Sequence, residues 1–490
     1  MQIPYLSFLA FLPLAAAIVI LFLPAGKRNL IRGIALATSI LTLILSVIVF
    51  FSYDTQNAGY QFQIQFDWLP ALGISFHMGV DGIGAAMELM AGLVVLSGVM
   101  VSWQIEDRPR EFFAFLLFLA SSVFGVFASL DLFQLFIFFE LAVFPKYLMI
   151  VMWGYPKTKE YGGMKLTLYL FLGSMVALVG VLAMYFGSGL HTFDMVTLEN
   201  AGFGTEFQRL WFPFVFIGFG VLGGIFPFHS WAPDGHVAAP TAVSMLLAGV
   251  EMKVGVFAAL HAGLMLMPEG MRIWAPLIIV LATINVVYGA FIAMIQKDFK
   301  YVIGFSSVSH MGLVFIGFAT LTPQGLTGAG LQMFSHGIMT ALFFAIVGMV
   351  YDRAHTRNIS ELGGLYQVMP IAMIGFVVGG LVSMGMPGFS GFIAELPIYM
   401  GAWKTYPLVA IISAISIVVT AAYILLVVRK VFFGEIPEPI KAGLTDISLM
   451  DKIVVIMLSV TMILIGLFPS LLVPVVEAGV KHILVLAGGA

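Results

Sequence analysis

Ionisable side chains stand where an apolar sequence should have none: Glu140, Lys146, Lys253, His310, His336 and Glu395. A charge at the centre of a bilayer costs roughly 2.5–3.5 kcal/mol even on the insertion scale, so each is a functional candidate by default. Glu140 follows Phe136-Ile137-Phe138-Phe139, and Lys146 lies beyond it in the same run, next to Pro145. Lys253 sits well inside its own run, and Glu395 follows a Gly/Pro interruption. His310 is preceded by Ser306-Ser307-Val308-Ser309, and His336 by Ser335. Histidine titrates near pH 6.5 and passes a proton either way. Burial disfavours the charged form of a lysine or carboxylate and pairing favours it, so groups held between those forces load and unload a proton when a neighbour changes charge.

Blander readings compete. A carboxylate can cap a broken helix, a lysine can snorkel to the interface, and a lone buried histidine is often a satisfied hydrogen bonder. Depth argues against snorkelling for Lys253. Lys165, at the start of its run beside Tyr161, suits an interfacial anchor as well as a site. Glu251 is a further buried-looking carboxylate, and Glu88 reads as helix packing. His229 and His236 have metal-ligand chemistry, but Asp234 between them falls in an expected Pro/Gly turn and no third ligand is spaced to join them. No metal site is expected. No phosphate loop, dinucleotide glycine pattern or nucleophile elbow stands in a strand–helix context. The absence of cysteine excludes disulfides and Cys-ligated iron–sulfur clusters.

The elements that must position these groups are membrane spans. The sequence is 61% hydrophobic and only 10% charged, with mean hydropathy +1.07, where a soluble domain carries about 25% charge. Its formal net charge of -3 and lack of a basic patch give no sign of nucleic-acid binding. Apolar runs long enough for a hydrocarbon layer of roughly 30 Å lie near 3–23, 30–51, 81–104, 112–130, 132–153, 162–187 and 208–228. Others lie near 240–262, 273–295, 301–322, 327–350, 369–400, 405–430 and 452–478. The first lacks a basic n-region and a cleavage site, so it reads as a retained span rather than a signal peptide.

The pattern predicts an all-α polytopic membrane protein of about fourteen transmembrane helices, because lipid tolerates no unpaired backbone. The odd-numbered connections hold Lys27, Arg28, Arg32, Arg108, Arg110, Lys157, Lys159, Lys297, Lys300, Arg353, Arg357, Arg429, Lys430, Lys441 and Lys452; the even ones hold only Arg209, Arg272 and Lys404. The positive-inside rule then places both termini on the non-cytoplasmic side. Residues 51–79, 191–209 and 431–451 read as loops, and the chain as a single membrane domain, 1–490. Two spans look interrupted, at Gly223-Gly224-Ile225-Phe226-Pro227 and at Gly385-Met386-Pro387-Gly388. Broken helices about five spans apart are what inverted-repeat transporters display. The expected division is helices 1–3 over 1–111, one five-helix repeat over 112–262, a second over 273–430, and a C-terminal helix and tail over 452–490.

At these residues the chain resembles the M-type antiporter-like subunits of bacterial respiratory NADH:quinone oxidoreductase (complex I), kin to Mrp-type antiporter subunits. The resemblance is carried by Gly79-Val80-Asp81-Gly82-Ile83, Phe139-Glu140-Leu141 with Pro145, Trp153-Gly154, and Lys165 with Tyr169. It continues through Pro227-Phe228-His229-Ser230-Trp231-Ala232-Pro233-Asp234-Gly235-His236 to Ala239-Pro240-Thr241, Leu247-Ala248-Gly249 and Lys253. Asp298-Phe299-Lys300, the serine-rich stretch to His310-Met311-Gly312, Asp352-Arg353, His355-Thr356-Arg357, Gly363-Gly364-Leu365 and Gly385-Met386-Pro387-Gly388 to Glu395 complete it. The resemblance implies Glu140 as the fifth-span relay acid, Lys253 as the eighth-span lysine, His310 and His336 as connecting residues, and Glu395 as the terminal carboxylate. It implies a subunit of a proton-translocating NADH:quinone oxidoreductase in the bacterial inner membrane, beside other membrane subunits. NADH, FMN, iron–sulfur clusters and quinone would belong to those partners, with no cofactor on this chain. One departure matters. The family's lysine seven residues before His229 is Leu222 here, and the proline two residues after it is Gly224. Lys146 or Lys165 is the expected substitute cation. Two other functions remain open at this point: an Mrp-like sodium/proton antiporter subunit, and a structural membrane scaffold, which would need no central charges.

Overall fold

A computed structural model of the chain describes residues 4–488. The expected first span therefore begins, and the expected tail ends, outside the described residues. The chain opens with two lipid-facing helices, α1 (Tyr5–Phe22) and α2 (Arg28–Ser52), followed by strands β1 (Gln61–Leu69) and β2 (Ile74–Val80). Next come α3 (Gly82–Val101), α4 (Pro109–Ala128), α5 (Leu132–Leu141), α6 (Val143–Trp153), α7 (Lys159–Gly187) and the short α8 (Met195–Leu198). The middle holds α9 (Thr205–Gly223), α10 (Trp231–Ala238), α11 (Thr241–Leu246), α12 (Met252–Ala258) and α13 (Pro268–Ile295). The remainder is α14 (Phe299–Ala319), α15 (Pro323–Ala354), α16 (Pro370–Ser383), α17 (Ser390–Thr405), α18 (Pro407–Val427), α19 (Glu438–Lys441), α20 (Leu449–Leu467) and α21 (Val473–Leu486).

Among the described residues, twelve helical spans are long and apolar enough to cross a membrane. The chain is an all-α polytopic membrane protein. α15 and the span Thr241–Met265 are enclosed by protein along their length, whereas α1, α2, α7 and α18 turn most of their surface outward. Those outward faces carry exposed apolar side chains such as Phe22, Leu172 and Val418, which lipid or a neighbouring subunit covers. Helix starts are fixed by short polar caps: Asp81, Asp131, Asp298 and Thr322 each accept backbone N–H groups of the first turn.

The two expected interruptions are both present, between α9 and α10 and between α16 and α17. α9 ends where Gly224 takes φ +78°, a left-handed conformation that glycine adopts without a Cβ clash. The exposed backbone there is paired again: the Asn285 amide donates to the Gly224 carbonyl at 2.7 Å and accepts from the Phe226 N–H at 2.6 Å. Trp231 donates to the Val221 carbonyl at 2.8 Å. Such re-pairing is what a break at membrane depth requires.

Four features differ from the sequence expectation. The stretch 51–79, expected as a loop, contains the antiparallel hairpin β1–β2, in register Phe66 opposite Phe76. Two strands alone are marginal in water; here β2 is buried against the bundle, and Asp131 and Gln134 bond the Ser75 and His77 backbones. The fifth span is divided at Ala142 into α5 and α6, three residues before Pro145, which has no N–H to continue the ladder. The last span stops at Leu467, because Pro469 ends it, and the chain turns into α21. Finally, Asp234 lies within helix α10 rather than in a turn.

Candidate functional site

The eighth span is regular α-helix only in short pieces. Leu247–Glu251 and Ala259–Met265 are π-helical, on either side of α12. A π-turn widens the helix by one residue, is costly, and collects at functional sites. Lys253 sits two residues beyond the first of these, fully buried, with its ammonium donating to the Ala248 carbonyl at 2.5 Å. Its second partner is His336 Nδ1 on α15, 2.7 Å away. Among the described residues, no carboxylate pairs with it.

From Lys253 the ionisable groups continue sideways. His336 stacks on His310 of α14, with ring centroids 5.4 Å apart and planes 22° from parallel. His310 Nδ1 donates to the Ser306 carbonyl at 2.8 Å, which leaves Nε2 to exchange a proton. Nε2 faces the Ser383 carbonyl at 3.2 Å and Glu395 Oε1 at 3.7 Å. When His310 is protonated, its Nε2–H is shared between these two. Glu395 also accepts from Gln332 at 3.4 Å. Lys253, His336, His310 and Glu395 thus form a line of groups that accept and release protons, each beside the next.

The second break shapes the end of that line. Gly385 has φ +62°, and a Cβ built on it would lie 2.8 Å from Glu395 Oε2. Glycine is required there twice, for its backbone conformation and for the space the carboxylate occupies. Ser335 and Ser390 bond each other across the same break at 2.8 Å, and Ser306 bonds the Tyr423 hydroxyl at 2.7 Å. Among the described residues, several buried polar atoms on and around the line have no protein partner: His336 Nε2, Gln332 Oε1, both ring nitrogens of His236, Glu140 Oε1 and Glu251 Oε1. Buried polar groups are paired in folded proteins, and those without protein partners bond water.

His236, on α10, lies within electrostatic reach of both Lys253 and Lys300. Lys300 donates to the Ala239 carbonyl at 2.6 Å and lines a cleft of about 470 Å³ with Glu106, Asp107, Asp352 and Arg357. A second cleft, of about 520 Å³, lies beside Glu395: Phe392, Leu396 and Leu331 line it, with Glu477 and Lys481 at its edge.

Glu140 ends α5 and is half-buried. Neither expected substitute cation bonds it. Lys146 is paired with Glu251 on the eighth span, and Lys165 pairs with Asp234 at 2.7 Å, where Tyr301 also donates to Asp234 at 2.8 Å. Leu222, which stands where the family carries its lysine, is buried against Gly255 of α12. Glu88 is fully buried with both oxygens lacking a protein partner, an unusual state for a packing residue. Sequence reasoning missed two buried pairs outright: Asp81 with His261 at 3.1 Å and His77 with Asp194 at 2.5 Å. Partners so far apart in sequence leave no spacing signal. Among the described residues, no three His, Asp or Glu side chains are grouped to hold a metal ion.

Residues 129–422 match the family described as NADH:quinone oxidoreductase/Mrp antiporter, transmembrane. The chain is 36% identical over 442 residues to NAD(P)H-quinone oxidoreductase chain 4-2 of Synechocystis sp., covering 88% of this chain and 78% of that one. A chain of respiratory complex I from Thermus thermophilus superposes with TM-score 0.88 at 28% identity, covering 98% of this chain and 99% of that one. A chain of the Mrp complex from Dietzia sp. has TM-score 0.87 at 19% identity, covering 99% and 98%, which shows a shared fold. The chain belongs to the NADH:quinone oxidoreductase/Mrp antiporter transmembrane family.

Proposed function

We propose that this chain moves protons across the bacterial inner membrane as a subunit of a quinone-reducing respiratory complex, the redox chemistry taking place on other subunits. The observation that carries this reading is the unbroken line Lys253–His336–His310–Glu395, closed by contacts of 2.7 and 3.7 Å and one pair of stacked rings. A scaffold has no use for such a line. Protons are taken up from the cleft at Lys300 and Asp352, reach Lys253 past His236, cross the two histidines, and leave from Glu395 into the second cleft. Glu140 sets the charge state of the line from the side that a neighbouring subunit covers.

Two interrupted helices, α9–α10 and α16–α17, bring the twelve other spans to fourteen, ten of them arranged as two inverted five-helix repeats over 112–262 and 273–430. The uptake cleft then faces the cytoplasm, where Lys157, Lys300 and Arg353 satisfy the positive-inside rule. Both termini lie on the opposite side. A reporter fused to the C-terminus is expected to read as non-cytoplasmic; a cytoplasmic signal inverts this topology.

The purified complex in liposomes tests the function. Quinone reduction is expected to acidify or alkalinise the lumen in sodium-free buffer, with the gradient abolished by a protonophore. A gradient that requires sodium and survives the protonophore would favour an Mrp-like antiporter.

A further inference from the structure

Among the described residues, Lys146 and Glu251 form the one lysine or arginine pair with a carboxylate in which both side chains are 0% exposed. Glu251 uses a single oxygen, Oε2, for that bond; Oε1 is buried with no protein partner. A charged pair sealed from water with an unsatisfied acceptor is poor construction for stability alone, since apolar residues of similar volume would serve as well. Its position suggests a different use. Glu251 closes the π-helical segment Leu247–Glu251, two residues before Lys253, and that segment also supplies the Ala248 carbonyl that holds the Lys253 ammonium. Lys146 stands in the first turn of the second half of the divided fifth span, six residues beyond Glu140. The Lys146 ammonium therefore holds Glu251 from the fifth span, and Glu251 shares its helix with Lys253, on the opposite side of that helix from the lysine.

We propose that Glu251 is a proton-carrying residue of the pump and that Lys146 switches it. When Glu140 is ionised it draws the Lys146 ammonium, and the Glu251 carboxylate, losing its counter-charge, takes a proton from water. When Glu140 is protonated, Lys146 returns to Glu251, whose carboxyl gives its proton to water at Oε1, and a chain of water hands a proton on to the neutral Lys253 amine. The products are the carboxylate, paired again with Lys146, and the Lys253 ammonium. Glu251 is thus the link between the fifth and eighth spans in a chain where Leu222 cannot be.

This rests on the reading of the chain as a proton-translocating subunit, and the test separates the two. Lys146→Met and Glu251→Gln are made together, so that neither leaves an unpaired buried charge, and the complex is purified and reconstituted. The double variant is expected to assemble and reduce quinone, with protons moved per quinone down by about 100-fold or more, the scale of a lost acid–base group. Wild-type translocation in the double variant, beside impaired Glu140→Gln and Lys253→Met complexes, would overturn the role of Glu251 alone. Wild-type translocation in all three would overturn the function itself. Should the double variant not assemble, Glu251→Asp decides: it keeps the charge but shortens the reach to that chain of water. Lowered translocation with normal assembly supports the proposal, and unchanged translocation contradicts it.

Discussion

Replacing Lys253 by methionine in the assembled complex is expected to cut protons moved per quinone reduced by on the order of 100-fold, the low end of the range for a positioned acid–base group. The reason lies in its surroundings. The ammonium is sealed from the surface, has a carbonyl and a histidine nitrogen for partners, and has no paired carboxylate. Methionine fills nearly the same volume without charge, so the helix keeps its packing while the line to Glu395 loses the group that feeds it. The same change relieves the roughly 2.5–3.5 kcal/mol cost of a charge at that depth. The variant complex should therefore be at least as resistant to heat as the wild type while pumping far less. A structural lysine would behave in the opposite way, losing stability and keeping activity. Thermal denaturation and translocation measured on one preparation distinguish the two.

Glu140→Gln is expected to impair pumping nearly as much, through distance rather than contact. Glu140 touches neither Lys253 nor the histidines; its influence is its charge. A unit charge about 8 Å away, in a medium of effective dielectric about 20, contributes on the order of 2 kcal/mol. That is a ~30-fold change in where a proton or an ammonium resides. Glutamine keeps the shape and removes the charge, so assembly and quinone reduction should persist while translocation falls by about that factor. Among the described residues, Glu140 Oε1 has no protein partner. Normal translocation by the Gln variant would show that Glu140 does not set the state of the line.

Much of this was legible in the sequence, for identifiable reasons. Spans announce themselves because lipid demands about twenty apolar residues in a row, and both breaks are written in glycine and proline. Lys253, His310, His336 and Glu395 were visible because polar groups in such runs are rare. Their meeting was not, since α12, α14, α15 and α17 are brought together by packing that no local spacing encodes. The hairpin was overlooked although Phe62, Ile64, Phe66 and Trp68 alternate with polar residues, the period of a strand; its neighbours are spans, and its stability comes from the bundle beneath it. The π-helical segments around Lys253 have no sequence signature. The partner of Lys146 was hidden too, because Glu251 lies 105 residues on, in the eighth span.

The most direct test is a map of the assembled complex at a resolution that shows ordered water. Proton transfer along the line predicts waters joining the cleft at Asp352 to His236 and Lys253, bonded to His336 Nε2 and Glu251 Oε1, and others joining Glu395 to the second cleft. A dry interior, with Lys253 and Glu395 each cut off from both faces of the membrane, would contradict it.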